Sequence, residues 1–218
     1  MKVTFTLVCL LLTLSTVYGQ EALRQKSNTK GLNIGLSGQY AFWNIVDNPG
    51  FREVAQINPG FGLGVRLGYG FSQRVEAALS ADVSILSHTN PNYYRFSMTL
   101  SHLDLTGRLN IGSTTSRFRP FIDAGVTMIS STAGPYAAGT GTGANAYEVD
   151  LIMNGTGLAA GAGINYFFGV PLAVSARYMG SFGQFTNNRL SNGTDLTKTA
   201  INTHRASLGL TWFIRGRR

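Results

Sequence analysis

Apolar residues recur at every second position through most of this chain, and this alternation restricts its fold more than any other feature. The positions between them are mostly glycine, hydroxyl, amide or charged residues. Side chains of a β-strand point alternately to two faces, so a period of two predicts strands with one apolar and one polar face. Two neighbouring examples are Phe61, Leu63, Val65, Leu67, Tyr69 and Phe71, followed by Val75, Ala77, Leu79, Ala81, Val83 and Ile85.

The first 19 residues have the pattern of a cleaved secretory signal. Lys2 supplies a positive charge, an apolar run follows to Leu14, and Val17 and Gly19 are small residues at −3 and −1 of a cleavage site. A single-span anchor is the alternative, but the apolar run falls short of the about 20 residues that a spanning helix needs. We expect a mature chain that starts at Gln20, with a periplasmic segment over 20–30.

Cysteine content and charge exclude several classes of protein. The only cysteine, Cys9, lies in the predicted signal, so the mature chain would hold no disulfide and no thiolate metal site. The net charge is +8, but the basic residues are scattered. Scattered charge on an exported chain argues against a nucleic-acid partner. No zinc-ligand spacing and no phosphate-binding glycine loop stands out, so we expect no metal and no cofactor.

Eight segments carry the alternation, and each is long enough to cross a bilayer as a tilted strand of about 9–11 residues. Their connections alternate between brief turns at 73–74, 112–117 and 169–171 and longer stretches. The longer connections are 44–59, 87–95, 132–154 and 186–200. The segments are 31–43, 60–72, 75–86, 96–111, 118–131, 155–168, 172–185 and 201–214.

This organisation predicts an all-β fold, an eight-stranded antiparallel up-and-down transmembrane β-barrel over residues 31–214. The short turns would be periplasmic, the long loops external, and residues 215–218 a basic C-terminal tail. A soluble barrel of the lipocalin kind, with its apolar face turned inward to a ligand, is the alternative that periodicity alone leaves open.

Charged residues on the polar face favour the membrane interpretation. They comprise four acids and four bases, and such a balance is expected where charges line a narrow lumen. Register counted from the turns predicts Arg66 near Asp82, and Arg108 diagonally near Asp123. The predicted polar network of the lumen is Arg66, Glu76, Asp82, His102, Asp104, Arg108, Asp123, Arg177 and Arg205.

Aromatic residues collect at the strand ends near the short turns. An interfacial girdle belongs there in a membrane barrel, although hydrophobic clusters that cap turns are an alternative explanation. The predicted interfacial aromatics are Tyr69, Phe71, Phe118, Tyr166, Phe168 and Trp212.

Segment 96–111 breaks the pattern, because its apolar phase changes between Leu100 and Leu103. A β-bulge near Leu100–His102, or a strand that protrudes beyond the bilayer, would explain the change. At the predicted periplasmic end, basic residues occur without acids. They would meet anionic lipid headgroups or only keep the turns soluble, and they are Arg74, Arg117, Arg119, Arg215, Arg217 and Arg218.

The mature chain resembles the eight-stranded outer-membrane β-barrel superfamily, which includes the small OmpA-like and OmpX-like barrels of Gram-negative bacteria. The last segment carries the most specific similarity, through Ser207, Gly209, Trp212 and Ile214 in the spacing of the family's assembly signal. The resemblance implies that the barrel-assembly machinery recognises this strand. The chain differs from the family pattern by ending in 215–218 instead of a terminal aromatic.

The chain contains three histidines that could act as a catalytic base. His102 follows Ser101, but adjacent strand residues face opposite sides, and His204 and Ser207 also differ in parity. His88 lies beside Ser87 in a long connection. His102 shares a face with Asp104, which is compatible with a hydrogen bond inside the lumen. We therefore predict no catalytic residues.

The sequence thus favours a non-enzymatic, multi-pass protein of the cell outer membrane with exposed loops, acting in envelope integrity, adhesion or surface contact. The alternatives are a small porin-like channel, a lipid-modifying barrel enzyme and a soluble ligand-binding barrel. Expected partners are outer-membrane lipid, lipopolysaccharide and the assembly machinery, for a monomeric barrel whose loop partner the sequence does not identify.

Overall fold

A computed structural model describes residues 27–45, 57–88, 97–138, 147–190, 195–196 and 198–214. Within these ranges no helix is long and apolar enough to cross a membrane. The strands are β1 (Gly31–Ile45), β2 (Ile57–Gly70), β3 (Val75–His88), β4 (Ser97–Asn110), β5 (Phe118–Ala138), β6 (Tyr147–Gly169), β7 (Leu172–Leu190), β8 (Asp195–Leu196) and β9 (Thr199–Ile214).

Eight long strands close into a barrel. Each pairs antiparallel with the next, and β9 pairs with both β7 and β1, which completes the ring. The two-residue strand β8 adds to β7 outside this ring, at Asn188 and Arg189. The predicted eight-stranded antiparallel up-and-down barrel is therefore confirmed.

The outer face of the barrel is apolar along the half that adjoins the short turns. Leu63, Leu105 and Leu210 are 75%, 57% and 54% exposed there, and similar residues surround them on neighbouring strands. Such a belt would cost about 25 cal/mol for each Å² left in water, so this surface requires lipid as its solvent. The polar alternate positions face the lumen, which excludes the lipocalin-like arrangement.

Three strands continue well beyond this apolar belt. Strands β5, β6 and β7 have 21, 23 and 19 residues, whereas β2, β3 and β4 have 14 each. The prediction of an irregular connection over 132–154 was therefore wrong at both of its ends. Residues 132–138 and 147–154 are strand, and Gly139 to Gly143 lie outside the described residues.

The change of phase in β4 does not come from a bulge. The pairing of β4 with β3 and β5 runs without a register shift from Ser97 to Asn110. Leu100 is fully buried and points into the barrel, whereas Leu103 points outward and is 42% exposed. The alternative of a strand top that protrudes above the apolar belt fits this geometry.

Above the belt, the inside of the barrel is apolar. An upper cluster fills it and consists of Leu86, Met98, Leu100, Ile129, Ala133, Leu151, Met153, Phe185 and Ile201. Trp43 packs against the cluster, with its ring 5.7 Å from that of Phe185. Several outward positions at the same level are hydroxyls and amides, such as Thr99, Thr132 and Asn154, although Ile152 is also exposed there. Relative to the lower half of the barrel, the apolar face of the sheet is now the inner one.

Candidate functional site in the barrel lumen

The middle of the lumen is a polar layer built from inward side chains of seven strands. Alternation places each charged residue there, and closure of the barrel brings residues of non-adjacent strands together. The eight charged residues predicted for the lumen all lie in this layer, as does His102.

Arg205 links the two sides of this layer. Its guanidinium donates to Asp82 at 2.6 Å and to Asp104 at 2.8 Å, although β9 is not a sheet neighbour of β3 or β4. All three side chains are at most 3% exposed. Buried charges of this kind are tolerated because each one is both paired and hydrogen-bonded.

Arg108 and Asp123 lie directly opposite each other on adjacent strands, where the register counted from the turns predicts diagonal neighbours. Two hydrogen bonds of 2.7 and 2.8 Å form a bidentate pair, and the Arg108 guanidinium lies 3.4 Å from the centre of the Phe121 ring. Arg177 is held more loosely, 3.6 Å from Asp82 and 3.8 Å from Asp123.

Arg66 and Asp82 are diagonal neighbours on β2 and β3, as the register predicts, but Arg66 forms its ion pair with a different carboxylate. Arg66 donates to Glu76 at 2.6 Å, and Asn33 donates to the same carboxylate oxygen at 3.0 Å. Asp82 lies opposite Gly64, while Arg66 lies opposite Ser80. Register identifies neighbours across one pair of strands, but a long arginine reaches diagonally to a carboxylate several residues away.

Glycine at position 64 leaves the space that one of these carboxylates occupies. A Cβ at Gly64 would collide with Oδ1 of Asp82. The absence of a side chain at this position therefore makes room for the buried carboxylate on the neighbouring strand.

The histidines occupy separate environments. His102 is buried and its Nε2 lies 2.8 Å from Oγ1 of Thr203, so the hydrogen bond recorded for it is not with Asp104. His204 faces outward, where its Nδ1 lies 2.9 Å from the hydroxyl of Tyr178. The side chain of His88 lies outside the described residues. Among the described residues, no group of three or more His, Cys, Asp or Glu side chains is arranged to hold a metal ion.

The periplasmic mouth is closed by the chain segment that precedes β1. The hydroxyl of Thr29 donates to the backbone oxygen of Gln73 at 2.8 Å, and the Gln73 amide donates to Asn28 at 2.6 Å. Ser27 is tied by its backbone to Thr114 at 3.0 Å. This segment therefore joins two of the short turns across the opening.

Arg119 lies at the predicted periplasmic end and also closes the mouth. It was expected to meet anionic lipid headgroups or only to keep the turns soluble, but its side chain is fully buried and points inward. It donates to the backbone oxygens of Gln73 at 2.6 Å and Ile111 at 3.2 Å. The alternation decides this, because Phe118 faces lipid and the next residue must face the lumen.

The other predicted basic residues of this end are less enclosed or not described. Arg74 is exposed and Arg117 is half-buried, whereas Arg215, Arg217 and Arg218 lie outside the described residues.

Outward-facing aromatic side chains contact one another near the periplasmic edge. Phe118 and Tyr166 lie 4.8 Å apart, Tyr166 and Phe168 5.0 Å, and Tyr69 and Phe71 5.3 Å, measured between ring centres. The sixth predicted aromatic residue, Trp212, is 62% exposed on the same face.

A second aromatic group lies at the opposite edge of the belt and was missed from the sequence. It consists of outward rings on β1, β2 and β7, namely Tyr40, Phe42, Phe61, Tyr178 and Phe182, and His204 on β9 contacts the last two. Phe61 stands eight residues above Tyr69 on β2. Eight residues of strand span roughly 27 Å, or about 20 Å vertically at a 40° tilt, close to the height of a lipid-facing belt. Parity together with this spacing was the signal that would have found it.

The residues of the proposed assembly signal lie on β9, at the seam where the barrel closes. Ser207 and Gly209 face the lumen, whereas Trp212 and Ile214 face outward. Strand β1 pairs with β9 along fourteen positions, from Leu32↔Ile214 to Ile45↔Ile201.

Comparison with known proteins places the chain among membrane barrels. The family model described as outer membrane protein beta-barrel domain matches residues 7–212. No curated protein sequence matches significantly.

Solved structures share the fold at low sequence identity. The Neisserial surface protein A has a TM-score of 0.59 and 13% identity, over 85% of this chain and 98% of that one. OprG of Pseudomonas aeruginosa has a TM-score of 0.55 and 13% identity, over 87% and 99%. Ail, the attachment invasion locus protein of Yersinia pestis, has 0.52 and 10%, over 84% and 99%.

Proposed function

Because this chain belongs to the outer membrane protein beta-barrel domain family, we propose that it is a non-catalytic, closed barrel that presents an extended sheet to the cell exterior for surface contact. The family match places it in the outer membrane. The proposal concerns what the barrel does there.

The extension of β5 and β6 beyond the lipid belt is the observation that carries this proposal. Ala133 pairs with Leu151, and the ladder continues to Ala138 and Tyr147. Thr132, Asp150 and Asn154 are exposed on the outer face of this hairpin, together with Ile152 at 40%. Ala133, Leu151 and Met153 point inward and belong to the upper cluster. A rigid sheet held above a membrane is suited to contact with another surface, and the Yersinia pestis neighbour is itself named for attachment and invasion.

Shortening the hairpin tests this proposal. Replacing residues 134–150 with Asn-Gly, a turn that closes two-residue hairpins, retains the Ala133–Leu151 pair and the barrel below it. Bacteria that display the shortened chain should attach at least tenfold less to surfaces coated with protein or polysaccharide. The matched control replaces 89–96 with Asn-Gly, which removes a different connection between strands. Equal attachment by the shortened and full chains, at equal surface amounts, would refute the proposal.

The lumen supports a closed barrel rather than a porin-like channel. The upper cluster, the polar layer and the segment at the periplasmic mouth lie in series along the axis, and an eight-stranded barrel encloses little beyond its own side chains. We expect no stable current when the purified chain is inserted into a planar bilayer. A reproducible single-channel conductance would favour the porin-like alternative.

Lipid and the assembly machinery are the partners that we propose for the outer face. The two aromatic groups would lie at the two lipid headgroup levels, with lipopolysaccharide around the upper one. Strand β9 would be read by the assembly machinery through Ser207, Gly209, Trp212 and Ile214. Substituting Gly209 and Trp212 together with Ala should lower the amount of heat-modifiable barrel in the outer membrane, while Lys198→Ala should not.

A further inference from the structure

The polar layer contains a cavity of about 40 Å³. Arg66, Arg108 and Arg177 all line it, and Asp82 is the one carboxylate residue among its lining residues. A site of this size holds two or three water molecules or a single small ion, since one water needs about 10–15 Å³. Hydroxyls of Ser80, Ser175, Ser207 and Thr211 complete its polar wall.

Two of these arginines have N–H groups that make no hydrogen bond within the described residues. Arg66 gives one nitrogen to Glu76, but its Nε and Nη1 have no partner among the described residues, although the side chain is only 9% exposed. Arg177 lies 3.6 and 3.8 Å from its carboxylates, beyond the about 2.7–3.2 Å of an N–H···O hydrogen bond. Buried donors without an acceptor are costly, so this cavity favours an occupant that accepts hydrogen bonds.

The charge of the residues that line the cavity also favours an anion. Three of them are arginines, Arg66, Arg108 and Arg177, and Asp82 is their single carboxylate counterpart in the wall. Glu76 and Asp123 pair with Arg66 and Arg108 but do not line the cavity. The wall therefore carries more positive than negative groups, in a space where charges are weakly screened.

We propose that this cavity binds one monovalent anion of halide size, with chloride as its occupant. The ion accepts hydrogen bonds from the free Nε and Nη1 of Arg66 and from Arg177, and its charge offsets the excess of cationic groups in the cavity wall. Water would satisfy the donors but would not offset this positive charge, and carboxylate or phosphate groups exceed the available volume.

Bromide locates the site directly. The full chain, extracted from the outer membrane in detergent, is crystallised in sodium bromide and data are collected at the bromine absorption edge. We expect an anomalous peak inside the barrel within hydrogen-bonding reach of Arg66 and Arg177. Peaks confined to the outer surface, with the cavity filled by water alone, would overturn the proposal.

Salt dependence tests it in solution. At equal ionic strength the wild-type barrel should unfold about 2–4 °C higher in sodium chloride than in sodium gluconate, whose anion is too large for the cavity. Gly35→Ala narrows the cavity without removing charge, because the new Cβ lies 3.3 Å from Oγ1 of Thr211 and 3.5 Å from Cβ of Arg66. This variant should lose the difference between salts.

Lys198→Gln is the matched control, because it removes an exposed cation outside the lumen and should retain the wild-type response. Equal unfolding temperatures of the wild-type barrel in the two salts would contradict the proposal. So would a chloride response of unchanged size in Gly35→Ala.

Discussion

The two halves of strand β4 present opposite chemistry on the same two faces. In the half near the short turns, Leu105 faces outward and Asp104 faces the lumen. In the other half, Thr99 faces outward and Leu100 is buried inside. The backbone register is continuous between them, so nothing in the strand itself changes.

The surroundings differ instead. Lipid surrounds the lower half, and an apolar outer face with a paired polar interior is stable there. Water surrounds the upper half, where the usual rule for soluble proteins returns and an apolar cluster fills the interior. Along this one strand, apolar side chains therefore face outward in the lower half and inward in the upper half. The level at which the apolar face changes marks the edge of the membrane.

Ion pairs hold the interior of the lower half, and Arg205→Met should cause the largest loss of stability. Asp82 and Asp104 would both lose a buried cation, with an expected cost of about 3–5 kcal/mol in the free energy of unfolding. Urea unfolding of the barrel in lipid vesicles measures this value. Lys198→Met is the exposed control, and a loss below about 1 kcal/mol for Arg205→Met would show that the lumen is solvated.

The outer faces of the two halves are compared by placing the same residue on each. Leu105→Arg puts a charge into the lipid belt and should cost about 2–4 kcal/mol. Thr99→Arg lies on the same strand face, six residues away and above the belt, and should change the stability by at most about 0.5 kcal/mol. Equal costs in the same vesicle assay would mean that the exchange of faces does not mark the membrane edge.

Two buried threonines allow a smaller test of whether a hydroxyl stabilises the interior by its polarity or by its hydrogen bond. Oγ1 of Thr106 is buried without a partner among the described residues, so Thr106→Val should alter the stability by less than about 0.5 kcal/mol. Thr203→Val removes the partner of His102 and should cost about 1–2 kcal/mol. If both variants lose the same stability, the hydroxyl groups themselves stabilise the interior and the hydrogen bonds that they make do not.

Much of the lumen was predictable because alternation assigns each residue to a face. The placement of Arg66, Asp82 and Arg177 inside follows from parity, and the proximity of Arg108 and Asp123 follows from register across a short turn. The pairing of Arg66 was not predictable in this way, because its side chain spans several residues. Arg119 was assigned to the periplasmic surface by its position near a turn, although its parity pointed inward.

The upper region was less accessible to sequence reasoning. Gly, Thr and Asn at the ends of β5 and β6 are typical of irregular loops, yet Ala133, Leu151 and Met153 continue the alternation with its faces exchanged. Their inward packing becomes visible only when the other strands supply the cluster that they join. Propensity alone favoured loop, and tertiary packing overrode it.

The sequence by itself determined the strands, their order and the face on which each side chain lies, because a period of two is a local property of the backbone. Only the tertiary structure decided which residues meet across the lumen. Arg205 binds carboxylates on β3 and β4, two strands that β9 never pairs with, and the N-terminal segment closes the mouth through Gln73. Such contacts depend on how the sheet curves and closes, and closure is a property of all eight strands together.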